Sequence, residues 1–244
     1  MNNNYKNIAK FYEICLPDFW LPFTRLLKTK IPDSKYNIID LGCGTGDAIK
    51  YLESYINKYI GIDHSNEMLE IAKKKYPNFE FKKANIVEYL DPLNSQYDLV
   101  LTAFDTINHL LEKSNWERLF ANAYNLLALN GYFIFDICTV NDHKNNWKNY
   151  VDIIERDTFT WIKNGKYNSE KNIATTENIF YIFNPITNLY TKEYDQITQI
   201  SFEIEVVIEM LRKYKFSDIS VYDLHSGSEV NYQTSVATFF CKKY

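Results

Sequence analysis

The segment Tyr36-Asn37-Ile38-Ile39-Asp40-Leu41-Gly42-Cys43-Gly44-Thr45-Gly46 constrains this chain more than any other. An apolar run delivers the backbone into three glycines spaced G-x-G-x-G. Ala48, Ile49, Leu52, Tyr55 and Ile56 then recur at helical spacing across Asp47–Ile56. Strand, glycine turn and helix in that order open a βαβ crossover, which commits the chain to parallel strands. Glycines at such a turn permit positive φ and let the backbone approach a ligand closely. In open α/β sheets that ligand lies beyond the carboxyl ends of the strands, where the strand order reverses.

The pattern continues downstream. Tyr59–Ile62 predicts a second strand, and Ser65 caps a helix with Met68, Leu69 and Ala72 on one face. Lys73-Lys74-Lys75 suits that helix's last turn, where cations complement the macrodipole. Glu80–Lys83 and Tyr97–Ala103 predict further strands. Ser114-Asn115-Trp116-Glu117 has a capping-box pattern at the head of a helix reaching about Ala128. Gly131 suits the turn out of it, and Tyr132–Ile137 is the next strand. This alternation predicts a mostly parallel sheet with helices on both faces.

After about Asn141 the character changes. Thr158–Lys163, Asn178–Phe183 and Leu189–Thr198 are β-branched and aromatic, with a turn at Asn184-Pro185-Ile186-Thr187-Asn188. These predict an antiparallel β insert. A helix follows at about Glu203–Tyr214, bearing Val206, Val207, Met210 and Leu211, and strands near Ile219–Leu224 and Ser235–Cys241 complete the main sheet. The expected division is an α/β domain from residues 1–140 and 203–244, with the insert at 141–202 covering the site.

Bulk properties narrow the partners. A net charge of −4 and a pI near 5.7, without a Lys/Arg stripe, argue against nucleic acid. Tyr (20) and Phe (16) are abundant enough to line a pocket. Cys15, Cys43, Cys138 and Cys241 are scattered without ligand-like neighbours, so neither a disulfide framework nor a metal site is expected. No stretch approaches the roughly 18 apolar residues of a membrane span, and the Asn-rich start carries no signal-like run. The expectation is a cytoplasmic chain, monomer or homodimer, acting on a small molecule away from membranes.

The glycine spacing also speaks to the ligand. The third glycine comes one position earlier than in the dinucleotide fingerprint, and the Lys-Ser/Thr of a P-loop is missing. Asp40 precedes the first glycine, which suits a cationic or hydroxyl-bearing ligand better than a phosphate. Asp63 ends the second strand about 20 residues further on, where a carboxylate reaches ribose hydroxyls. An NAD-dependent oxidoreductase is disfavoured on that spacing.

Ile38–Gly46 resembles the first motif of class I S-adenosylmethionine-dependent methyltransferases, and Gly61-Ile62-Asp63-His64-Ser65-Asn66-Glu67-Met68-Leu69 resembles their second. Tyr5-Lys6-Asn7-Ile8-Ala9-Lys10-Phe11-Tyr12-Glu13 is similar to the tyrosine-bearing helix that lids the cofactor in many members. The nearest resemblance is to small-molecule members, the amino-sugar N,N-dimethyltransferase and glycine N-methyltransferase types. It implies a Rossmann-like seven-stranded sheet with an antiparallel last strand. It also implies S-adenosylmethionine as cofactor, with S-adenosylhomocysteine as product, held by Tyr12, Asp40, Gly42, Cys43, Gly44, Asp63, His64, Met68, Asn85, Ile86 and Ala103. Asn85 stands where the family usually has an aspartate facing the adenine amino group; its carbonyl can still accept that hydrogen bond.

Methyl transfer needs an aligned acceptor, and a base only if the acceptor arrives protonated. Phe104-Asp105-Thr106-Ile107-Asn108-His109-Leu110 follows the fourth strand. His109 is a candidate base or a hydrogen-bonded structural residue, and Asp105 a candidate for steering an amine or hydroxyl. Asp136, closing the fifth strand, is a candidate for either role. Trp147, Tyr150, Trp161, Tyr181 and Tyr194 can wall an acceptor pocket or fill the insert's own core. The expected acceptor is the N or O atom of a small polar metabolite. The alternatives are a sugar-nucleotide or glycan-precursor substrate, or a catalytically silent cofactor-binding subunit.

Overall fold

A computed structural model describes residues 5–15, 20–89 and 96–244; the Asn-rich start lies outside the described residues. Two helices come first, α1 (Ile8–Cys15) and α2 (Trp20–Lys30). The α/β pattern follows as β1 (Tyr36–Leu41), α3 (Ala48–Leu52), β2 (Ile56–Asp63), α4 (Asn66–Lys75), β3 (Glu80–Lys83), β4 (Tyr97–Thr102), α5 (Lys113–Leu126) and β5 (Leu127–Cys138). After a short turn, α6 (Val140–Asp142), come β6 (Val151–Arg156), β7 (Phe159–Asn168), β8 (Ile173–Asn184) and β9 (Leu189–Ile200). The chain ends with α7 (Ile204–Lys213), β10 (Asp218–Asp223) and β11 (Val236–Lys242).

The main sheet has seven strands in the order β10-β11-β5-β4-β1-β2-β3. Pairs β1–β2, β2–β3, β1–β4 and β4–β5 are parallel, whereas β11 runs antiparallel to both β5 and β10. The last strand is therefore the reversed one, as expected. Strands β6 to β9 form a separate four-stranded antiparallel sheet in simple sequence order. Helices cover both faces of the main sheet. Trp116, Leu119, Phe120 and Ala123 of α5 pack with Val207, Met210 and Leu211 of α7 on one side. Trp20, Phe23 and Leu27 of α2 pack with Ile49, Leu52 and Leu69 on the other. Each large apolar side chain so buried stabilises the fold by about 1.5–3 kcal/mol.

Three local expectations change. The helix after the glycines stops at Leu52, a tight turn over Glu53–Tyr55 follows, and Ile56 already pairs with Tyr36. Tyr55 is buried because its ring stacks on Tyr36, 6.2 Å between centroids, not because it continues a helix. The capping box at Ser114 does not form. Helix α5 starts a residue earlier, and the Glu117 carboxylate turns to α7, accepting from Lys213 Nζ at 2.9 Å and Tyr214 Oη at 3.3 Å. Gly131 lies inside β5, where the β4–β5 register shifts; an added Cβ there would meet the carbonyls of Ala128 and Asp98 at 3.0 and 3.1 Å. Helix α2 was not anticipated, although Trp20, Phe23 and Leu27 follow its period; Pro22 sits in its first turn, where proline is tolerated.

Candidate active site

The chain leaves β1 for β2 on one side and returns to β4 on the other, so the sheet reverses direction of build between β1 and β4. Thr102 Oγ1 at the end of β4 donates to the Leu41 carbonyl at the end of β1, 2.6 Å away. A cavity of about 620 Å³ opens beyond these strand ends.

Its first end is the glycine loop. Gly42, Gly44 and Gly46 all have positive φ, at 88°, 53° and 80°. The amides of Gly42 and Cys43 both donate to the Ile62 carbonyl, tying the loop to β2. A Cβ on Gly42 would run into the Thr106 side chain, whereas one on Gly44 would find open space in the cavity. Asp63 is gripped from both sides: Gly44 N donates to Oδ2 at 2.9 Å and Ser65 N to Oδ1 at 2.8 Å. Ser65 in turn caps α4 through Met68 N, 3.2 Å away. Asp40 accepts from Tyr59 Oη at 2.7 Å; burial pushes its carboxyl up to about 7, against the opposing pull of that hydrogen bond.

Met68, Asn85 and Ile86 continue the wall. The Asn85 side-chain oxygen accepts from Val87 N at 3.0 Å, so one of its two lone pairs is already used. Asn122, on α5, fixes the segment from behind by donating to the carbonyls of Ile86 and Tyr89. Tyr5, Ile8 and Tyr12 close this end from above, and burial raises both phenols well beyond their usual range.

The second end is built from the loop after β4 and from the smaller sheet. Phe104 and Asp105 both sit at positive φ, 57° and 48°, a strained pair for residues with side chains. The Asp105 amide donates to Asp136 Oδ1 at 2.7 Å, beneath the loop. Asp136 is fully buried and faces away from the cavity, so it holds the strained turn and is not among the cavity-lining groups. Burial pushes its carboxyl up to about 6, while the amides of Asp105 and Phe104 pull it down.

Asp105 and His109 do face the cavity. Gln199, at the end of β9, fixes both through the polarity of its amide. Its oxygen faces His143 Nε2 at 3.2 Å, and an amide oxygen only accepts. Its nitrogen therefore donates to Asp105 Oδ2 and lies 3.3 Å from His109 Nε2, which also takes the Tyr5 hydroxyl at 2.8 Å. Amide nitrogen only donates, so His109 presents a lone pair there. Burial, followed by the neighbouring His64, lowers the His109 ring to about 4, and its bond to the Thr198 backbone opposes the shift. Burial, followed by Asp136, pushes Asp105 up to about 8, with the Gln199 amide opposing.

Trp147, Tyr150 and Trp161 line the far wall. Both indole N–H groups are spent inside the protein, Trp147 on Asp142 and Trp161 on Asn178, and the Trp161 ring is covered by the Lys163 ammonium and packs against Phe180. Tyr181 and Tyr194 do not reach the cavity and are solvent-exposed on the smaller sheet. All eleven residues expected around the cofactor border the one cavity, as do Asp105 and His109. Gln199, His143, Lys163 and Asn122 had gone unnoticed, because single polar residues in β-rich or helical segments carry no local signature.

Residues 38–131 match the family model described as a methyltransferase domain. A putative methyltransferase of Geobacillus is 32% identical over 142 residues, 54% of this chain and 57% of the relative. The chain spans less than two thirds of the length of the first curated relatives it matches, 59% and 57%. The crystal structure of an S-adenosylmethionine-dependent methyltransferase from Clostridium acetobutylicum superposes with a TM-score of 0.83 at 18% identity, covering 98% of both chains. The sugar N-methyltransferase KedS8 from Streptoalloteichus does so at 0.79 and 12%, covering 100% of this chain and 96% of that one. The matched segment is that of a methyltransferase domain, and the fold is the one these S-adenosylmethionine-dependent methyltransferases share.

Proposed function

We propose that this chain transfers a methyl group from S-adenosylmethionine to the nitrogen or oxygen of a small polar metabolite. One observation carries the reading: a single cavity joins the glycine loop and Asp63 to the Asp105–His109 pair and the Trp-rich wall. The residues fit the cofactor. Gly44 leaves open space where a side chain would intrude, and the Asp63 carboxylate is held rigid at the distance along the chain where ribose hydroxyls are read.

Bound there, S-adenosylmethionine supplies a methyl group already activated by its sulfonium. The protein's part is chiefly alignment and exclusion of water. Tyr5 and Tyr12 cover the cofactor end, and Ala103 and Phe104 bring the chain past the junction between the two ends. Asp105 and His109 divide the polar work at the acceptor. His109, neutral around pH 7, is a fixed hydrogen-bond acceptor and a weak base. Asp105, whose carboxyl titrates near the working pH, is better matched to take a proton from an ammonium acceptor. The insert at 141–202 covers this end, contributing Trp147, Trp161, Lys163 and Gln199.

A sugar-bearing acceptor is favoured as the second reading by the half-buried indole of Trp147 beside Asn146, Thr176 and Asn178, an arrangement that suits a ring with apolar faces and hydroxyl edges. The sugar methyltransferase activity of a structural neighbour points the same way. Calorimetric titration with S-adenosylmethionine, S-adenosylhomocysteine and NAD, then S-adenosylhomocysteine release over amine, sugar and nucleotide acceptors, tests both. Preference for NAD would overturn the cofactor assignment. Tight cofactor binding with no turnover across the panel would make the chain a silent subunit.

A further inference from the structure

Helix α1 and the turn before it carry Tyr5, Ile8 and Tyr12 over the cofactor end, yet the packing of α1 is with the smaller sheet. Ile8 shares a cluster with Phe159, Trp161 and Phe180, and Phe11, Tyr12 and Tyr5 pack against that same cluster. The Phe11 ring lies 4.1 Å from Phe159 and 5.5 Å from Phe180. No residue of α1 belongs to either cluster that flanks the main sheet, among the described residues.

At the head of α1 stands one buried carboxylate. Asp195, on β9, is 1% exposed. Its Oδ2 accepts from the backbone amides of Asn7 and Ile8 at 2.9 and 3.0 Å, and its Oδ1 from Asn7 Nδ2 at 2.9 Å. Two of the amides left unpaired by the start of a helix are thus taken by a side chain nearly 190 residues away. The bonds are charge-assisted, and the negative group meets the positive end of the helix. Asp195 does not line the cavity, so whatever it does for the ligand passes through α1.

We infer that Asp195 is the positioning residue that holds α1, with Tyr5 and Tyr12, closed over the cofactor, and that it makes the lid part of the insert. The inference rests on the proposed cofactor reading. Cofactor affinity then depends on the fraction of molecules in which α1 is docked, and loosening the clamp lowers affinity by that fraction. The same clamp sets the Tyr5 hydroxyl on His109 Nε2, so docking of α1 also decides whether that lone pair is shared between Tyr5 and Gln199.

The test uses the full chain and S-adenosylhomocysteine in isothermal titration, with hydrogen exchange followed over residues 5–15. Asp195→Asn keeps the shape but loses the charge, and whichever way its amide turns, its N–H₂ meets a donor, either the two backbone amides or the Asn7 side chain. It should raise the Kd about tenfold and speed exchange in α1. Tyr5→Ala/Tyr12→Ala removes what the lid contributes, so adding Asp195→Asn to that pair should change Kd no further. Asn7→Ala, which spares Asp195 and loses one contact, should give a smaller loss in the same direction and serves if Asp195→Asn does not melt cooperatively. Wild-type Kd and wild-type protection in Asp195→Asn would overturn the inference, as would an undiminished effect in the tyrosine-free background. A wild-type chain that binds no S-adenosylhomocysteine would instead bring down the cofactor reading, and this inference with it.

Discussion

Asp63 receives backbone amides on both oxygens, from Gly44 and Ser65, and still faces the cavity. Truncation removes a ligand contact and leaves two donors unpaired, the buried Ser65 amide at a cost of about 1–3 kcal/mol and the part-buried Gly44 amide at less. Asp63→Ala is therefore expected to weaken S-adenosylhomocysteine binding by about tenfold or more in calorimetry, and unchanged affinity would remove Asp63 from the cofactor site. Asp105 makes a pH prediction. Its folded carboxyl lies near 8 against an ordinary 3.8, because burial disfavours the charged form. The folded chain thus holds this proton more tightly than the unfolded one. Its contribution to stability is whole below the ordinary value and is lost as pH rises through about 8. The melting temperature should fall across that window and fall less in Asp105→Asn. Asp40 and Asp136, raised to about 7 and about 6, leave a remainder. If Asp105 takes the acceptor's proton, kcat/KM rises through about pH 8 and that limb vanishes in the Asn variant; an unaltered profile would return Asp105 to steering alone. The glycines and Asp63 were readable because their chemistry follows from order along one βαβ unit. The pairing of Tyr5 with His109 was not, since it joins residues 104 positions apart.

The loop after β4 shows how an element is shaped by what lies beneath it. Two consecutive residues at positive φ would relax in isolation, and the buried Asp136 carboxylate holds them by accepting the Asp105 amide. Sequence reading had Asp136 as a candidate site residue because it ends a parallel strand, where catalytic groups gather. The side chain instead points under the turn. Asp136→Ala should cost about 1–3 kcal/mol of stability in denaturant unfolding and lower turnover, while S-adenosylhomocysteine affinity changes little. Wild-type stability would mean that the loop is held by other contacts. Elements with their own periodicity, such as β1, α4 and α7, emerged near their expected bounds. Those decided by distant partners did not: α5 lost its capping box to Lys213 and Tyr214, and α3 was cut short by the ladder between Ile56 and Tyr36.

For the molecule as a whole, the cavity is assembled by two sheets with different duties. Strand ends of the main sheet supply the glycine loop, Asp63 and the Asp105–His109 loop, and the smaller sheet supplies the opposite wall. Alternation of strand and helix predicted the first sheet, and β-branched segments predicted the second. Their meeting over one cavity depends on contacts such as the Asn108 amide, which donates to carbonyls of Cys138 and Ile200 at the root of both. The division implies that ligand effects separate by sheet. Lys163, on β7, lines the cavity with its ammonium 3.4 Å from Asp152 and over the Trp161 ring. It is the one Lys or Arg among the described residues of that lining. Lys163→Met keeps much of the stem that packs on the indole and loses the charge. Steady-state kinetics on any acceptor found in the panel should show a higher acceptor KM, while the Kd for S-adenosylhomocysteine stays within about twofold of wild type. Equal losses in both constants would mean that the two ends of the cavity are not energetically separate, and that the smaller sheet shapes the cofactor end as strongly as the acceptor end.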